Sequence, residues 1–177
     1  MPNTYEFIAS QTAGPSGLST IDFQSIPNTY TDLMMMFSLK SNRDSNLDGI
    51  NFRFNNSSSG YNTKQLIGFG SNPMSDAYSE TDPNGVGIAS YLCTGTNTAT
   101  TNAFSNGSFH VINYTSSYNK LANVEGSNGV NAAGGWLQHT GGVWADSAVV
   151  NRITIVPRFG TLFTEHSSAY LYGIKKS

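Results

Sequence analysis

The sequence predicts an all-β fold, an antiparallel β-sandwich of jelly-roll-like type with about ten strands. Three observations predict it. Short segments alternate apolar and polar residues with the two-residue period of a half-buried strand, turn-forming residues punctuate them at close spacing, and helical periodicity of comparable strength is found nowhere. Strands at this spacing with no helices between them imply packed antiparallel sheets.

The segments justify this in chain order. After a short N-terminal arm, TYEFIASQ places Tyr5, Phe7 and Ala9 on one side. In TDLMMMFSLK, counting by two sends Leu33, Met35, Phe37 and Leu39 one way and Asp32, Met34, Met36, Ser38 and Lys40 the other. The three consecutive methionines therefore split between faces: Met35 joins the core, where a flexible thioether fills gaps, and Met34 with Met36 lies opposite. A strand apolar on both faces in its middle is a central strand, or one whose outer face is covered by a loop or a neighbouring subunit. GINFRFN opposes Ile50, Phe52 and Phe54 to Asn51 and Arg53; RITIVP opposes Ile153 and Ile155 to Arg152 and Thr154; AYLYGIKK gathers Tyr170, Tyr172 and Ile174 on one face. GVGIAS departs from the dinucleotide-binding fingerprint at Ser90, and no helical pattern follows it, so it reads as a strand entered from a turn.

Turns are expected at Gly14–Gly17, Asp48-Gly49, the polar run ending at Gly60, Asp82–Gly85, Asn128-Gly129 and Gly141-Gly142. The Asn/Ser/Thr-rich stretches Asn55–Thr63 and Thr94–Asn106 read as long loops, the second with the alternative of a polar edge strand. No linker composition interrupts the chain, so residues 1–177 are expected to form a single domain.

Composition narrows the function classes. Only 11% of the 177 residues are charged, against roughly 25% in an average soluble domain, yet mean hydropathy is −0.27. The surface must be built from Ser, Thr, Asn and Gly. The nine Lys and Arg cluster no further than Lys175-Lys176, which argues against a nucleic-acid partner. No apolar run approaches a membrane span and the N-terminus lacks a signal-peptide pattern, so the expectation is synthesis in a cytoplasm and no membrane partner. Cys93 is alone and reads as a buried, inert thiol.

Site chemistry is sparse. His110, His139 and His166 have no metal-ligand spacing. Asp44, Asn46 and Asp48 alternate ahead of Gly49 in a calcium-like run, but no glutamate follows at the EF-hand position, and a plain turn is the stronger reading. No GxSxG elbow occurs, and the scattered carboxylates sit in turn-like or alternating flanks, so neither catalytic residues nor a cofactor are expected and the chain is read as non-enzymatic. Trp136 and Trp144, each beside glycines, read as core or subunit-interface residues, with a sugar platform as the alternative.

The series YEFIASQT, FQSIPNTYTDL, MMMFSLKSNRD, INFRFNNSSSGYN and the terminal TLFTEHSSAYLYGIKKS resembles a group of small virion proteins of tailed bacteriophages. The likeness covers both ends of the chain. It implies a β-sandwich or jelly-roll module located in the virion, either a capsid decoration (cement) protein bound to the major capsid protein or a tail or fibre component. It also implies a symmetric homo-oligomer, with a trimer favoured, and brings no catalytic residues with it. On the combined reading, Tyr5, Met34, Met36, Trp136 and Trp144 are the candidate contacts with another subunit or with the capsid. The alternative is a tail- or fibre-associated module that recognises cell-surface carbohydrate.

Overall fold

The computed structural model describes residues 4–69, 71–79, 87–96, 102–129 and 135–175. Every regular element within them is a strand: β1 (Tyr5–Thr12), β2 (Ile21–Phe23), β3 (Asp32–Leu39), β4 (Leu47–Phe54), β5 (Tyr61–Phe69), β6 (Asn72–Ser79), β7 (Ile88–Thr94), β8 (Ser105–Ile112), β9 (Lys120–Asn128), β10 (Trp136–Trp144), β11 (Ile153–Pro157) and β12 (Ser168–Ile174). They form an antiparallel β-sandwich with sheets of unequal size. The larger has eight strands in the order β1, β12, β3, β8, β9, β10, β5, β6, and the smaller has four in the order β2, β11, β4, β7.

The count is slightly above ten because some strands carry little apolar alternation. The described side chains of β6 are all exposed, so no buried face left a period in its sequence. Alternation located the core side of three strands: Ile50, Phe52 and Phe54 on β4 are buried, as are Ile153 and Ile155 on β11 and Leu33, Met35, Phe37 and Leu39 on β3; on β12 the core side is Ala169 and Leu171, and Tyr170, Tyr172 and Ile174 take the other face.

Three local readings are corrected. Gly141-Gly142 is not a turn but lies inside β10. A Cβ on Gly142 would come within 2.5 Å of Ile88 Cγ2, so glycine is there to let β7 approach the large sheet. Asp48-Gly49 is a β-bulge within β4, marked by a register shift between Asp48 and Ile50, and a Cβ at Gly49 would meet the Arg158 side chain at 2.8 Å. A second shift, between Phe7 and Ala9, breaks the alternation of β1: Tyr5 and Phe7 face outward, whereas Ala9 packs against the core. The expected turn at Asp82–Gly85 lies outside the described residues.

A run of rings from both sheets fills the core. Phe52 stacks on Phe109 at 4.1 Å, Phe37 and Phe54 flank that pair, and Trp144 lies 5.6 Å from Phe54 and 6.2 Å from Tyr61. Each such side chain contributes about 1.5–3 kcal/mol by leaving water. The Tyr61 hydroxyl accepts a hydrogen bond from Phe54 N at 2.7 Å, and burial pushes its pKa up to about 12. Lys120 is enclosed at the end of the sandwich; its ammonium donates to the carbonyls of Ser116, Tyr118 and Asp146, and burial pulls its pKa down.

The small sheet covers only part of the large one, and its edge strand β7 meets the inner face of β5 and β10. Polar side chains on that face take up the backbone groups of β7. Gln65 Nε2 donates to Ala89 O at 2.8 Å, Ala89 N donates to Thr63 Oγ1, and Tyr91 N donates to Gln138 Oε1 at 2.9 Å. Gln138 Nε2 then donates to Gln65 Oε1 and Thr140 Oγ1, and Asn128 Nδ2 donates to Cys93 O further along. This buried ladder occupies an edge that would otherwise present open backbone hydrogen-bonding groups.

Candidate interaction face

One face of the large sheet packs on the core, and the other lies open. Strand pairing defines the open face row by row. One row runs from Tyr170 through Met36, Ser108, Glu125 and His139 to Leu66; the next contains Phe7, Tyr172, Met34, His110, Asn123 and Gly141; a third contains Ser38, Asn106, Ser127, Leu137 and Gly68. Tyr5, Phe7, Met36, Leu66, Leu121, Leu137 and Tyr170 are exposed on this face, with Leu66 at 64% and Leu137 at 67%. Phe7 and Tyr172 meet edge to face at 5.9 Å.

Charge is thin on this surface. Among the described residues its formal charges are Asp32, Lys64 and Glu125. Two of the three pair with histidines, Asp32 with His110 at 3.6 Å and Glu125 with His139 at 3.9 Å. At the β1–β12 border Lys175 Nζ lies 2.7 Å from Glu6 Oε1, and that hydrogen bond holds the Glu6 carboxyl below its ordinary range. A solvated sheet face normally alternates apolar-in with charged or polar-out. This one instead exposes large apolar groups among hydroxyls, amides and glycines.

Of the five residues singled out from the sequence, three lie here. Tyr5 and Met36 are exposed, Met34 is half-buried, and all three face outward. Trp144 does not: at 2% exposure it belongs to the core, so the interface reading of this residue gives way to packing within the chain. Trp136 is half-buried on the opposite side of the large sheet, near its end, where it meets Phe69 at 4.9 Å and Tyr91 at 5.9 Å. Leu66, Leu121 and Leu137 were missed, because a single leucine between polar or glycine neighbours gives no alternation to detect.

The other sequence candidates do not converge. Asp48 is fully buried and accepts hydrogen bonds from the amides of Gly49, Phe159 and Gly160, while Asp44 and Asn46 are exposed, so the calcium-like run holds a bulge together instead. Among the described residues no three His, Cys, Asp or Glu side chains gather as a metal site would require. Cys93 is buried, and burial raises its thiol well above the ordinary value. Comparison with protein-family models, with curated proteins and with solved structures finds no match to this chain.

Proposed function

We propose that this chain is a non-enzymatic structural protein of a tailed-bacteriophage virion, a capsid decoration protein that binds the major capsid protein and further copies of itself through the open face of its large sheet. The observation that carries this reading is the spread of exposed Tyr5, Phe7, Met36, Leu66, Leu121, Leu137 and Tyr170 over a sparsely charged face. The likeness of both ends of the sequence to small virion proteins supplies the setting, and a homotrimer is the favoured assembly. Each copy would bury modest apolar area on neighbouring capsid subunits, and shell symmetry multiplies weak contacts into a stiff lattice.

Purified protein added to empty, expanded heads tests the reading. Saturable binding with a gain in resistance to heat or osmotic shock is the expected outcome; attachment to host cells with none to heads would overturn it. A second reading, a tail- or fibre-associated module that recognises cell-surface carbohydrate, draws on a separate observation, the half-exposed rings around Trp136.

A further inference from the structure

Phe69, Trp136, Tyr91 and Phe159 form an aromatic cluster separate from the core. Five chain segments build it: the end of β5, the start of β10, the middle of β7 and the stretches that follow β11 and β3. Phe69 to Trp136 spans 4.9 Å between ring centres, Trp136 to Tyr91 5.9 Å, and Tyr91 to Phe159 6.4 Å with the last two rings 15° from parallel. Two guanidinium groups lie against the rings. Arg158 sits 5.3 Å from the centres of both Tyr91 and Phe159, and Arg43 sits 4.3 Å from that of Phe159.

Burial distinguishes the parts. Arg158 is buried beside the rings, so it acts as a fixed positive charge behind them. Phe69 and Phe159 are exposed, and Trp136, Tyr91 and Arg43 are half-exposed. Arg43 Nη1 donates to Leu47 O at 2.9 Å, and its planar fork carries five N–H donors in all. The cluster thus offers flat apolar faces and a planar cation whose geometry matches a carboxylate.

We propose that this cluster binds an acidic oligosaccharide: one pyranose ring stacks on Trp136 and Phe69 while the carboxylate of a sugar unit further along it pairs with Arg43 beside Phe159. A single-stranded nucleic acid would also stack on aromatic rings, but it needs a groove of positive charge along its backbone. This chain has nine Lys and Arg in all and a net charge of −2. The proposal deepens the carbohydrate-binding reading and rests on it for its ligand class. It is tested on the free chain, so it can fail while capsid docking holds, and capsid docking can fail while it holds.

The test is a titration of the intact protein with a panel of uronate hexasaccharides and their carboxyl-reduced, neutral counterparts, read by tryptophan emission and by calorimetry. Trp144 is in the core, so a change in emission reports on Trp136. The expected result is saturable binding of at least one uronate, with affinity lowered roughly tenfold or more by reducing its carboxyl and by Arg43→Gln, at an unchanged melting temperature. Phe159→Ser, at an exposed ring, should weaken binding in the same direction and serves as the second variant if Arg43→Gln unfolds the chain. Absence of saturable uronate binding, binding that both variants retain in full, or tighter binding of oligothymidylate would each overturn the proposal.

Discussion

Met35 and Met36 are chain neighbours on β3, yet one is 0% and the other 57% exposed. They stand for the two faces of the same sheet. The inner face is closed in two ways, by rings where the small sheet covers it and by the Gln65–Gln138 ladder where β7 meets it. The outer face exposes side chains of the same apolar kind with no such closure. The sheet hides backbone groups of edge strand β7 behind buried glutamines while leaving Leu66 and Leu137 about two-thirds exposed, and the proposed docking of this face accounts for that difference.

Several substitutions probe this contrast, beginning with the most damaging. Met35→Asp places a carboxylate among core rings, and the expected outcome is loss of the folded state, a penalty of about 4 kcal/mol or more, seen as a collapsed thermal transition. Gln65→Leu or Gln138→Leu leaves buried groups of the ladder without partners, and each should lower stability by about 1–3 kcal/mol in urea denaturation. The double variant should cost less than the sum of the two, because both changes break the shared Gln138 Nε2 to Gln65 Oε1 bond of 2.6 Å.

Asp22 gives a smaller, pH-dependent effect. Burial pushes its carboxyl up, but hydrogen bonds from Arg152, Gln24 and Thr154, with the Arg152 charge, outweigh that and leave it below the ordinary 3.8. Because the folded value lies below the unfolded one, the stabilisation is complete above about pH 3.8 and is lost as pH falls through the folded value. Asp22→Asn should therefore lower stability by about 1 kcal/mol at neutral pH and remove this part of the acid-side slope in melting curves taken down the pH scale. The smallest effect belongs to Met36→Asp, which should change stability by no more than about 0.5 kcal/mol, since the side chain is exposed.

The sequence made the inner face legible and the outer face only partly so, for a physical reason. A strand with one face on a core tends to alternate, which is why the core faces of β3, β4 and β11 could be read from sequence, whereas β7, buried on nearly every residue, has no such period. Bulges break the alternation invisibly: neither the slip at Ile8, which turns Tyr5 and Phe7 outward, nor the one at Asp48-Gly49 changes composition. Glycine misleads in the opposite sense, because Gly142 serves close approach within a strand where it reads as a turn signal. The outer face was glimpsed through Met34 and Met36, whose apolar character on the wrong side of an alternating strand demanded an explanation. Leu66, Leu121 and Leu137 became part of it only once pairing placed them beside those methionines' rows.

The central claim is that the outer face of the large sheet is a docking surface whose loss leaves the fold intact. The direct measurement is binding of the Met36→Asp and Leu137→Asp variants to empty, expanded heads, alongside wild type and with melting temperatures recorded in parallel. The account predicts wild-type melting and loss of head binding in both; variants that melt normally and still bind heads as tightly as wild type would contradict it.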